Sequence, residues 1–185
     1  MKLCILFPGI GYTVDRSLLY FSGRLAIRKG YEVRKVGYHD LPKDIKGDEE
    51  KKLKAFEMAL GQIEEQLSEI NLNDYSDILF IGKSIGTAVA AAYGCKHLDG
   101  FKGNVRYIYL TPLEQTFRVA GANSGIVFTG TADPWVVPDK IVSESQRLDI
   151  PCYRYEDANH SLETGDVERD TAILSDVMAK VDEVI

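Results

Sequence analysis

The run from Ile78 to Tyr93 constrains this chain more than any other stretch. Four apolar residues, Ile78-Leu79-Phe80-Ile81, precede Gly82-Lys83-Ser84-Ile85-Gly86, and an alanine-rich segment from Thr87 to Tyr93 follows. The pattern reads as a buried strand, a tight turn and a helix. So short a turn strains the serine backbone, and its glycines let strand and helix approach closely. A serine held this way stands above the carboxyl edge of a sheet, beside the free N–H groups of a helix start. The bland alternative is a serine that merely caps a helix. The remaining residues decide between the two.

Six strands are expected, at Lys2–Phe7, Tyr31–Val36, Asp77–Ile81, Val105–Leu110, Ile126–Thr129 and Cys152–Tyr155. Helices are expected over Thr13–Lys29, Asp48–Ile70, the alanine-rich segment, Pro138–Leu148 and Thr164–Ile185. In the first helix Leu18, Leu19 and Ile27 should face inward. In the second, Leu53, Phe56, Leu60, Ile63, Leu67 and Ile70 recur in steps of three and four. Val167, Leu174, Val177, Met178, Val181 and Val184 make a comparable stripe in the last. Alternating strands and helices indicate a mostly parallel sheet covered on both faces, a three-layer sandwich with its ligand site at the carboxyl edge. Residues 1–185 are expected to form a single domain.

Composition narrows the partners. A net charge of −6 and a pI near 5.1, with no basic stripe, argue against nucleic acid. The apolar stretch after Met1 is too short for a signal peptide, and no segment is long enough to span a membrane. Cys4, Cys95 and Cys152 lack metal-ligand spacing and read as buried thiols in a reducing compartment, so the cytoplasm is the expected location.

A serine hydroxyl needs a base to take its proton. Three histidines are available. His97 lies thirteen residues beyond Ser84, roughly 20 Å away along a helix. His39 follows the second strand, too far to the side. His160 follows the last strand, in Asn159-His160-Ser161, at the same edge as Ser84. Asp133 follows the fifth strand in Gly130-Thr131-Ala132-Asp133-Pro134-Trp135-Val136 and would orient the imidazole. The order Ser84, Asp133, His160 suits such a sheet, nucleophile then acid then base. An oxyanion would be held by the N–H of Ile85 and by a second donor from Pro8-Gly9-Ile10-Gly11, either Ile10 or Gly11. Trp135 and Lys83 are candidate pocket residues, with the direction of Lys83 open. Gly82-Lys83-Ser84 also raises a nucleotide-binding loop, but Asp77 stands where that pattern needs glycine.

With these motifs the chain resembles the α/β-hydrolase superfamily in a small form, over nearly its whole length. The elbow Gly82–Gly86, the acid segment Gly130–Val136 and the loop Asn159–Ser161 carry the likeness; the family's His-Gly oxyanion segment is matched by Pro8-Gly9, without its histidine. The resemblance implies a six-stranded sheet ordered 2-1-3-4-5-6, the family's first two strands being absent. It implies a lid reduced to Leu113–Ser124 and a shallow, open pocket. It further implies a serine hydrolase that cleaves a small ester, thioester or amide through an acyl-enzyme, ester-type rather than peptidase. Neither metal nor organic cofactor is expected, and the partner is a small acyl substrate. The alternative is a protein of this fold that binds a ligand without turning it over.

Overall fold

A computed structural model describes residues 1–185. Six parallel strands form one sheet: β1 (Lys2–Phe7), β2 (Glu32–Lys35), β3 (Asp77–Lys83), β4 (Asn104–Leu110), β5 (Gly125–Gly130) and β6 (Cys152–Tyr155). Their order is β2-β1-β3-β4-β5-β6, as expected. Side chains alternate across each strand. Leu3, Ile5 and Phe7 of β1 join Ile78 and Phe80 of β3 on one face, beneath α2 (Glu49–Gln66) and α3 (Ile85–His97). Cys4, Leu6, Leu79, Ile81, Ile108 and Leu110 fill the other face, beneath α1 (Ser17–Arg28) and α5 (Val167–Val184). A smaller cluster on the α3 side joins Ala91, Tyr109, Phe117, Val127 and Ile150 to Ile141 of α4 (Pro138–Arg147). No helix is long and apolar enough to cross a membrane.

The departures from expectation have local causes. Helix α1 starts at Ser17 rather than Thr13, because Gly9 and Tyr12 pair across a tight turn and Arg16 is still extended. Ile27 points outward, 49% exposed. Asp48 accepts a hydrogen bond from the Lys51 N–H at 3.0 Å and sets the start of α2. The face of α2 that enters the core is Ala55, Ala59 and Ile63, whereas Leu53 is 57% exposed. Small residues let α2 approach α3 closely, so bulk and burial part company here. Val167, in the first turn of α5, is also exposed. Of the three thiols only Cys4 is buried; Cys95 is exposed and Cys152 partly so.

Between β2 and α2 the chain crosses the carboxyl edge of the sheet, held from below by two glutamines. The Gln66 side chain accepts from the Gly37 N–H and donates to the Gly37 carbonyl, at 3.1 and 2.8 Å. Gln62 does the same for His39, at 2.9 and 2.8 Å. Each amide thus stands in for the neighbouring strand that this stretch of backbone lacks.

Candidate active site

Strand β3 runs two residues further than the apolar pattern predicts, through Lys83, and the chain turns into α3 at Ser84. Ser84 has φ 56° and ψ −125°, a conformation a non-glycine residue holds only under constraint. The constraints are visible. The Ser84 N–H donates to the Leu110 carbonyl at 3.0 Å, and the Ser84 carbonyl accepts from the N–H and hydroxyl of Thr87 at 2.9 and 2.6 Å. The Thr87 hydroxyl in turn meets that of Thr116 at 2.7 Å, both side chains fully buried. A side chain at Gly82 would strike the Gly86 backbone, and one at Gly86 would strike the Phe7 and Pro8 carbonyl oxygens. These two glycines are what allow so tight a corner. Because Asp77–Lys83 is continuous strand, no loop precedes Ser84 that could cradle phosphates.

Asp133 and His160 reach the same point from neighbouring loops. Gly130 at the end of β5 presses against the Ala158 carbonyl, where a Cβ would collide. The Thr131 and Ala132 N–H groups donate to the Tyr155 and Ala158 carbonyls, both at 3.0 Å. The Asp157 N–H donates to the Thr131 hydroxyl at 2.8 Å. The Thr111 hydroxyl, at the end of β4, donates to the His160 carbonyl at 3.0 Å. Asn159 folds its own loop by accepting from the Ser161 and Glu163 N–H groups. With both loops pinned, His160 Nε2 lies 2.8 Å from Ser84 Oγ and His160 Nδ1 2.6 Å from Asp133 Oδ2. Asp133 Oδ1 accepts from the Trp135 N–H at 2.9 Å. This leaves the neutral imidazole donating from Nδ1 to the carboxylate and accepting the serine proton at Nε2.

The other histidines and acids stand apart. His39 is exposed beside Asp40, and His97 stacks on Tyr93 near Glu64. Asp157 pairs with Arg169. The side chain of Asp133 is fully buried and that of His160 is 16% exposed, open to the cleft. Burial lowers the His160 pKa below its ordinary 6.5; its bond to Asp133 opposes this, and the charge of Lys83 adds to it.

The turn after β1 closes the site. A Cβ on Gly9 would meet the Ser84 Cβ at 3.2 Å, so the turn lies directly against the elbow. Its two internal hydrogen bonds use Gly9 and Tyr12 and leave the N–H groups of Ile10 and Gly11 free. Ile85, first residue of α3, has no intrahelical acceptor for its N–H.

Around these groups lies a cleft of about 710 Å³ lined by 22 residues. Pro42–Lys46, from the segment held by Gln62 and Gln66, makes one wall, and Leu113–Gln115 with Arg118 another. The segment after β4 is only a short 3₁₀ turn, Glu114–Arg118, and the β2–α2 connection, which no motif marked, supplies more of the lining. Trp135 lies 5.8 Å from the His160 ring, centre to centre, and lines the cleft. Lys83 is 1% exposed, with Nζ 4.9 Å from the centre of the Tyr12 ring. Its charged end is therefore at the site; sequence gave no sign that a lysine there would be buried.

Neither a family model nor a curated protein matches this chain. Solved structures do. A Xanthomonas campestris protein assigned to the alpha/beta hydrolase superfamily superposes with a TM-score of 0.73 at 15% identity, over 99% of this chain and 97% of that one. Mouse alpha/beta hydrolase domain-containing protein 10 gives 0.69 at 8% identity, covering 97% and 88%. A lid-less α/β serine hydrolase from Xanthomonas campestris gives 0.59 at 13%, covering 98% and 81%. The chain has the α/β-hydrolase fold. At these identities the likeness concerns the fold, and the chemistry rests on the residues of this site.

Proposed function

We propose that residues 1–185 form a single catalytic domain, a serine hydrolase cleaving a small ester, thioester or amide, with Ser84, His160 and Asp133 as its triad. The observation that carries this reading is the unbroken line of hydrogen bonds from Ser84 Oγ through His160 to a fully buried carboxylate. Ser84 Oγ attacks the carbonyl carbon as its proton passes to His160 Nε2. A tetrahedral oxyanion forms between the N–H groups of Ile85 and of Ile10 or Gly11. The carbonyl–leaving-group bond then breaks, and His160 gives its proton to the departing atom. Water attacks the acyl-enzyme, losing its proton to His160, which returns it to Ser84 as the acid leaves. Asp133 holds the tautomer and stabilises the imidazolium. The same reading takes the protein to work in the cytoplasm, in keeping with three unpaired thiols.

The test is a fluorophosphonate probe. It should label wild-type protein at Ser84 and fail on a folded Ser84→Ala variant. His160→Ala should lower turnover on a reactive ester by about a thousandfold or more, while His39→Ala and His97→Ala change it little. Labelling that survives Ser84→Ala would remove the assignment.

A further inference from the structure

A lysine buried without a hydrogen-bond acceptor is costly, and here it lies in the cleft. Lys83 lines the cavity and is 1% exposed, yet its Nζ has no hydrogen-bonding partner; only the Tyr12 ring face supports it. The Arg16 guanidinium stands 4.8 Å from the centre of that same ring. Neither cation is in an ion pair. Two basic side chains thus share one aromatic ring at the cleft, neither of them bonded to a carboxylate.

The wider charge pattern agrees. Five cations without a carboxylate partner line the cleft, Arg16, Lys43, Lys46, Lys83 and Arg118, in a chain whose net charge is −6. Of the three lining carboxylates, Glu49 is bound by Lys52 and Glu114 by Lys140, which leaves only Asp44 unpaired. The Lys83–Arg16 pair and the apolar surface also lie on opposite sides of the sheet. By strand alternation Lys83 falls on the face of Leu79 and Ile81, the side that also holds Tyr12, Ala158 and Leu162 from the His160 loop. Ile85 and Ile45 belong to the opposite core. There an apolar groove of about 360 Å³, lined by Leu53, Phe56, Ala88 and Val119 with Lys52 and Arg118 beside them, shares Ile45, Ile85 and Leu113 with the cleft. The leaving group must depart beside His160, which protonates it, and so on the side of Lys83 and Arg16. The acyl chain is left with the apolar side.

We propose that the substrate joins an apolar acyl chain to an anionic leaving group, a carboxylate or phosphate, whose charge is seated on Lys83 and Arg16. This rests on the serine hydrolase reading. Burial brings the Lys83 pKa down to about 7, Asp133 and Glu163 opposing it and Arg16 adding to it. The groups facing it are Tyr12, Arg16, Asp133, His160 and Glu163. A bound anion would therefore recharge the amine.

The experiment compares four esters on the wild type: the butyrates of 3-hydroxybenzoate, of 3-hydroxyphenyl phosphate and of methyl 3-hydroxybenzoate, and mono-phenyl glutarate, whose charge is on the acyl side. One of the first two should exceed the neutral third in kcat/KM by about tenfold or more, the scale of one charged hydrogen bond, chiefly through KM. Which of them leads identifies the anion. Lys83→Met should erase the preference while Ser84 still takes the fluorophosphonate, and the exposed Arg16→Gln should weaken it several-fold. That second variant carries the test if Lys83→Met does not fold. Preference for the neutral ester or the glutarate, or a preference intact in both variants, overturns the proposal and leaves the nucleophile standing. Failure of Ser84 to label overturns the catalytic reading instead. The anion seat then stands or falls by calorimetry on Ser84→Ala, where 3-hydroxybenzoate or 3-hydroxyphenyl phosphate should bind near pH 8 with proton uptake that Lys83→Met abolishes; if neither binds, there is no such seat.

Discussion

Ser84 and Lys83 are adjacent, and each is held in a state that folding alone would avoid. The Ser84 backbone, at φ 56°, carries strain on the order of 1–3 kcal/mol. Glycine is at ease in that conformation. Ser84→Gly should therefore be more stable than Ser84→Ala by about 1 kcal/mol in urea titrations, after allowance for the looser unfolded chain. Equal stabilities would mean the elbow is relaxed. Lys83 loses its charge more readily in the folded protein than in the unfolded chain, so the unfolded chain binds more protons between about pH 7 and 10.5. Stability should rise with pH across that window, and Lys83→Met should flatten the rise. At neutral pH that variant should be more stable than wild type, since an apolar side chain replaces a buried amine that has no carboxylate bonded to it. For His160 the lowered pKa has a kinetic reading as well. Only the neutral ring accepts the serine proton, so kcat/KM should rise with pH to a midpoint below 6.5. Asp133→Asn should favour the wrong tautomer and lower turnover by up to about ten-thousandfold; an effect under tenfold would move the acid elsewhere.

At the scale of elements the site is a set of strand ends locked to one another. Helix α3 leans on the end of β1 through Gly86, and Gly86→Ala should cost about 1–3 kcal/mol or more, since the added methyl would meet backbone oxygens that cannot turn aside. The displaced turn would carry the Ile10 N–H away from Ser84, so activity should fall further than stability alone explains; retained kcat would argue against that donor. The sequence announced the elements well and their faces less well. Strand alternation with helices was enough to anticipate a parallel sheet covered on both faces, whereas its order came with the likeness to the α/β-hydrolase superfamily. Helix α2 departs from its stripe at one end. Ile63 and Leu67 are buried and Phe56, Leu60 and Ile70 pack against the same core, but Ala55 and Ala59 take inner positions the stripe did not mark, and Leu53 is left to wall the groove beside the cleft. Ser84, Asp133 and His160 could be picked out because each follows a strand within a recognisable motif. Tyr12, Arg16, Thr87, Thr111 and Thr116 belong to no motif, and their roles exist only once separate loops meet. A lysine counts as polar in any periodicity, so nothing in the pattern foretold that Lys83 would be enclosed.

For the whole molecule the distribution of charge matters more than its sum. The residues lining the cleft carry six basic and three acidic side chains, a net of +3. The full chain has 22 basic and 28 acidic residues, so the remainder carries 16 and 25, a net of −9. An anion approaching at random is repelled by most of the surface and drawn to one opening. For an anionic ester, kcat/KM should fall as salt rises from 10 to 300 mM, concentrations spanning Debye lengths of roughly 30 to 6 Å, while a neutral ester changes little. Identical salt responses for the two esters would count against a focused field.

The glutamine brackets on Gly37 and His39 divide the labour of the molecule. Ser84, Asp133 and His160 hang from β3, β5 and β6, whereas the wall bearing Lys43 and Lys46 is fastened to α2 by the two glutamines and to the core by Ile45. A connection that carries none of these three residues can change length and composition around its Ile45 anchor without disturbing the strands that bear the chemistry. The stretch from Asp40 to Gly47 is thus an interchangeable cassette, through which one hydrolytic centre could be turned toward different substrates by exchange of a single segment.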